Sequence, residues 1–188
     1  MNKTAVRNFA IWAHRELISC VSQKAVQYGI SEGEVCPVSA DLTDKKVLNA
    51  PPGENTRRSV DNILLSGSKQ TIEEVAYTWF NRFCMLRFME VNGFLPSGRR
   101  LFSNEKGEFH PQIPDEALHL EKPSPFKEKG DGLPQKDQAE ELFKHLLITQ
   151  CNALNAILPG AFLKISDEAE LLFPDALLGE ESFTAHLD

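Results

Sequence analysis

Residues 73–95 read Glu-Glu-Val-Ala-Tyr-Thr-Trp-Phe-Asn-Arg-Phe-Cys-Met-Leu-Arg-Phe-Met-Glu-Val-Asn-Gly-Phe-Leu, and this run decides the fold. Nothing interrupts it before Asn92-Gly93, with Pro96 just beyond, so it reads as one long helix stopped at the glycine. Thr71-Ile72-Glu73-Glu74 just upstream has the form of a capping box. At about 100° per residue, Ile72, Ala76, Trp79, Phe83 and Leu86 share one face, and Phe80, Cys84 and Phe88 extend the apolar surface round a second. A helix coated in this way is expected in the middle of a domain. Trp79 and Phe83 are therefore structural residues. Arg87 and Glu90, three residues apart, fall within or beside the buried arc, where either charge alone is costly. They read as a structural ion pair, and removing Arg87 is expected to cost roughly 3–5 kcal/mol. The competing reading has Arg87 face a groove filled by a catalytic domain or by DNA.

Working outward, residues 3–28 form an amphipathic pattern. Val6, Phe9, Ala10, Ala13, Leu17, Cys20, Val21 and Tyr28 lie on one face, Asn2 caps the start and Gly29 ends it; Trp12 falls off the stripe. A short helix is expected over 56–66. A third long helix is expected over 135–158, with Leu142, Phe143, Leu146, Leu147, Cys151, Leu154 and Leu158 inward. Ser166 caps a last short helix running through Phe173. Between these, Arg100-Leu101-Phe102, the turn-like Asn104-Glu105-Lys106-Gly107 and Glu108-Phe109-His110 predict a small β-hairpin over 99–113. One short helix is expected over 114–121. Pro, Gly, Asp and Ser make 30–55 and 122–134 connectors. The expected fold is mainly α, a helical domain over 1–188 with three long helices and a small β-hairpin.

Composition is that of an ordinary globular chain: 188 residues, 41% apolar and 25% charged. The four cysteines, Cys20, Cys36, Cys84 and Cys151, show no CxxC pairing; the three in helical patterns read as buried, reduced thiols, and a cytoplasmic, reducing compartment fits. The N-terminus has no continuous apolar stretch of a signal peptide, and no apolar run is long enough to span a membrane. A net charge of −7 argues against a free-standing nucleic-acid binder, because phosphate contacts need clustered Lys and Arg.

The motifs of methyl-transfer chemistry are not found. An amino-methyltransferase needs an Asp/Asn-Pro-Pro-aromatic turn, whose polar side chain and carbonyl accept from the target amine while the ring stacks on the flipped base. Ala50-Pro51-Pro52-Gly53 has neither acceptor nor ring. Gly130-Asp131-Gly132 follows charged residues instead of an apolar strand, and there is no phosphate-binding GxxxxGK[ST] loop. The five histidines are dispersed without the spacing of a zinc helix. No Gly-x-Ser-x-Gly elbow exists. On residues alone the chain is a non-catalytic helical domain with no catalytic, cofactor or metal residue. Arg57-Arg58 and Arg99-Arg100 are the candidate DNA contacts, set against a reading as ordinary surface charge.

The chain resembles the N-terminal region of the adenine-specific DNA methyltransferases of bacterial phage-exclusion (BREX-type, PglX-like) systems. The resemblance rests on Met-Asn-Lys-Thr-Ala-Val-Arg-Asn-Phe-Ala-Ile-Trp-Ala at the start, and on Ala76-Tyr77-Thr78-Trp79-Phe80-Asn81-Arg82 and Leu86-Arg87-Phe88-Met89-Glu90 in the central helix. Leu147–Leu154 and Asp167–Asp175 add to it. Ala176 departs from it, since the family often has a polar residue there. The resemblance implies an S-adenosylmethionine-dependent enzyme that methylates adenine N6 in host DNA, so that phage defence can tell self from invader. Its catalytic domain is expected downstream of Asp188, so no catalytic or cofactor residue carries over. Partners implied are DNA through the full-length enzyme, its own catalytic domain and other phage-defence proteins. From a different class, a stand-alone helical interaction module of a defence complex fits the same residues.

Overall fold

The structure is a computed structural model that describes residues 3–30, 54–96, 98, 100–104, 106–109, 135–179 and 182–187, residues 135–138 as helix backbone only. The chain is mainly helical. Among the described residues the helices are α1 (Lys3–Gln27), α2 (Glu54–Ser66), α3 (Ser68–Val91), α4 (Gln135–Ile157) and α5 (Asp167–Leu171), followed by a 3₁₀ turn at Thr184–His186. The three expected long helices are α1, α3 and α4. The segments 31–53 and 110–134, which hold most of both connectors and the helix expected over 114–121, lie outside the described residues.

The chain divides into two compact units, Met1–Phe80 with Ser166–Asp175, and Asn81–Ile165 with Ala176–Asp188. The first unit's core gathers Ala13, Leu17, Val21 and Ala25 of α1, Val60 and Ile63 of α2, Ile72, Val75, Ala76 and Trp79 of α3, and Leu172 and Phe173. Burial at every fourth position of α1 is the single stripe of an amphipathic helix. That stripe begins only at Ala13. Val6, Ile11 and Trp12 are 45%, 45% and 37% exposed, so the first three turns of α1 leave apolar surface uncovered. α5 packs against α2, where Asn62 Nδ2 donates to Glu168 at 3.2 Å. Lys24 grips both oxygens of Asp175 at 2.7 and 2.8 Å.

In the second unit, Phe83, Leu86 and Met89 of α3 and Phe143, Leu147, Cys151 and Leu154 of α4 are buried with Leu101, Phe102, Phe162 and Phe183. Phe102 stands edge-on to Phe143 with centroids 6.2 Å apart, the arrangement that ring quadrupoles favour. Arg82 Nη2 donates to the Leu163 carbonyl at 2.6 Å. Glu140 of α4 accepts from the backbone N–H groups of Leu177 and Leu178 at 3.0 and 2.8 Å.

Four expectations need correction. The capping box is not formed, because α3 starts three residues before Thr71. Thr71 instead donates to the Gly67 carbonyl at 3.2 Å and pairs with the Ser66 hydroxyl at 3.0 Å. Gly67, at φ 94°, supplies the left-handed turn that lets α3 start so soon after α2. The central helix is not buried all round, since Tyr77, Phe88 and Val91 are 59%, 60% and 59% exposed. Leu158, read as inward, is 42% exposed. Finally, the β-hairpin over 99–113 shrinks to one antiparallel bridge, Ser103 to Phe109, among the described residues. The turn itself is there: Asn104 Oδ1 accepts from Lys106 and Glu108 N–H at 2.9 and 3.0 Å. Three consecutive amides just before the turn are taken by a side chain.

Candidate functional site: a carboxylate clasp and the basic side chains

That side chain is Glu90. It sits in the last turn of α3 because the stripe Trp79, Phe83, Leu86, Met89 puts the next position inward, and its side chain is fully enclosed. Oε2 accepts from the N–H groups of Leu101 and Phe102 at 2.8 and 2.9 Å. Oε1 accepts from Ser103 N–H at 3.0 Å and from the Ser103 hydroxyl at 2.6 Å. Arg87 Nη1 completes the shell at 2.9 Å from Oε1 and also donates to Ser103 Oγ at 2.9 Å. Successive amides converging on an anion form a nest like those that hold phosphates, here filled by the chain's own carboxylate. A buried carboxylate is tolerable because five donors replace its water.

Arg57 and Arg58 belong to the first unit and Arg100 to the second. Arg57 and Arg58 lie on the exposed side of α2, and Arg58 stands 3.8 Å from Glu54, a surface contact of little strength. Arg100 turns back to Ser103 Oγ at 3.2 Å and is half-buried; Arg99 lies outside the described residues. Trp79 and Phe83 are fully buried. Trp79 donates through Nε1 to the Ala169 carbonyl at 2.9 Å and meets Phe173 edge-on at 4.5 Å and 80°. Phe83 packs on Phe102 and Phe183.

Sequence reasoning missed Arg82, which is 7% exposed and whose pKa burial pushes down. It lies beside Cys151, whose thiol burial pushes up to about 12, with the guanidinium opposing. Burial likewise raises Cys84 and Cys20, the latter with help from Glu16 and Asp175. None of these three thiols has the low pKa of a nucleophile. The signal for Arg82 was its place one step from Trp79 and Phe83 on the buried arc. Among the described residues no three His, Cys, Asp or Glu side chains converge to hold a metal ion, and no helix is long and apolar enough to cross a membrane.

The site so defined is an architectural one, an internal anion clasp inside a helical protein. No family model matches the chain. It is homologous to adenine-specific methyltransferases. It is 34% identical over 197 residues, 92% of its length, to the adenine-specific methyltransferase PglX of Lacticaseibacillus casei (strain Zhang). It is 31% identical over 198 residues, 97% of its length, to the adenine-specific methyltransferase BrxX of Escherichia coli O9:H4 (strain HS). The chain spans 16% of the length of each of these relatives.

Proposed function

We propose that this chain is the helical N-terminal domain of an S-adenosylmethionine-dependent DNA adenine-N6 methyltransferase of a BREX-type phage-defence system. The observation that carries the reading is homology to two adenine-specific methyltransferases across more than nine-tenths of the chain. In this reading the domain scaffolds the catalytic domain. S-adenosylmethionine and the target adenine are held by residues elsewhere in the parent protein, since no Asp/Asn-Pro-Pro-aromatic turn occurs in these 188 residues. Arg57, Arg58, Arg99 and Arg100 contribute sequence-independent phosphate contacts, weak because 20 basic side chains face 27 acidic ones and phosphate binding needs a basic face. Glu90 and Arg87 are structural, holding the segment that carries Arg100.

The test uses full-length parent enzyme, parent lacking residues 1–188, and the 188-residue chain alone. Adenine methylation of duplex DNA is expected only from the full-length protein, and calorimetry is expected to detect no S-adenosylmethionine binding by the 188-residue chain. Saturable, micromolar cofactor binding by that chain overturns the assignment of chemistry elsewhere. Full methylation by the truncated parent overturns the scaffold role. A second reading, a non-catalytic interaction module, draws on the uncovered apolar surface of α1.

A further inference from the structure

The first turns of α1 combine uncovered apolar surface with positive charge that has no ion partner among the described residues. Lys3, Arg7 and Arg15 precede the first acidic residue, so all 27 acidic side chains lie from Glu16 onward. Arg7 and Arg15 are exposed and have no hydrogen bond or ion pair among the described residues. In a protein of net charge −7, Arg7 and Arg15 thus stand as exposed cations without a carboxylate partner among the described residues. They border an open trough of about 580 Å³ between α1 and α3, with Arg7, His14 and Arg15 along its rim and Ala10, Ile11, Tyr77 and Phe80 as its floor. Ile11 and Tyr77 are 45% and 59% exposed.

Such a floor gains nothing from a phosphate backbone, which would leave Ile11 and Phe80 against polar oxygens. It does suit the apolar stripe of a helix laid in a groove, read by anchors at three- and four-residue spacing. The rim cations then select carboxylates flanking that stripe and steer its approach. We propose that this trough is a docking site for an acidic amphipathic helix of a partner protein. The inference is independent of the methyltransferase assignment, because it rests only on α1 and α3.

Fluorescence anisotropy on the full 188-residue chain tests it, with three labelled probes. They are a synthetic helical peptide with leucines at three- and four-residue spacing flanked by glutamates, its counterpart with glutamines for glutamates, and a DNA duplex. The acidic peptide is expected to bind saturably and in preference to the other two. Arg7→Glu with Arg15→Glu, and separately Ile11→Ser with Tyr77→Ser, are each expected to weaken binding roughly tenfold without shifting the thermal melt, because all four side chains are exposed. The proposal is overturned if the glutamine peptide binds equally well, if the duplex is preferred, if the apolar substitutions leave affinity unchanged, or if no peptide binds saturably.

Discussion

Glu90 shows how one side chain can take over work usually done by a strand. Its loss should cost more than the loss of Arg87. Glu90→Ala strands three backbone N–H groups and a half-buried guanidinium, and is expected to destabilise by about 3–5 kcal/mol. Arg87→Ala leaves the carboxylate with four donors, so the expected cost falls to that of one charged hydrogen bond, about 1.5–3 kcal/mol. This is below the value inferred from an isolated buried pair. Denaturant melts of the two variants check the order; equal losses would mean the amides contribute little. A second residue is under backbone strain. Ala176 has φ 59°, a left-handed conformation costing an L-residue with a Cβ roughly 1–2 kcal/mol. Ala176→Gly relieves that and gives back about 0.5–1 kcal/mol in chain entropy. A small net stabilisation is expected, read as a raised melting temperature.

At the scale of elements, α5 is short enough that its caps decide it. Ser166 Oγ accepts from Ala169 N–H at 3.2 Å, and the neighbouring Ala169 carbonyl receives Trp79. The Glu168 carboxyl is held below its ordinary range by a hydrogen bond from its own backbone N–H, which outweighs partial burial, with Asn62 and Ser166 adding to it. A lowered folded pKa means stability present above the unfolded value of about 4.3 and lost as pH falls through the folded one. Acid melts between about pH 5 and 3 should therefore be less steep in Glu168→Gln, and an unchanged slope would remove Glu168 from the account. Helix existence was legible because period and stop signals agreed: Gly29, Gly93 and the Ser166 cap needed no tertiary knowledge. Thr71 was misread because its hydroxyl had a better partner in the α2–α3 turn than in a box. Of the expected hairpin only the Ser103–Phe109 bridge is found among the described residues; alternation in 100–110 registers residue type, while the partner of the Leu101, Phe102 and Ser103 amides is a carboxylate on another element. Arg87 and Glu90 could be put together from spacing alone. Leu101, Phe102 and Ser103 could not, since nothing local says that their amides face inward.

For the whole molecule, circular dichroism should show a predominantly helical chain, and mainly coil would contradict the three long helices. DNA affinity of the 188 residues should be weak and vanish by about 200 mM salt. Sequence-specific binding surviving that salt would reverse the charge argument. The clasp also sets a clock. Because the amides of Leu101, Phe102 and Ser103 share one acceptor, they should not open one at a time. Their protons are expected to exchange with solvent deuterium together and slowly, at a common rate set by release of the Glu90 carboxylate. Staggered exchange, amide by amide, would show a fraying loop with no shared latch.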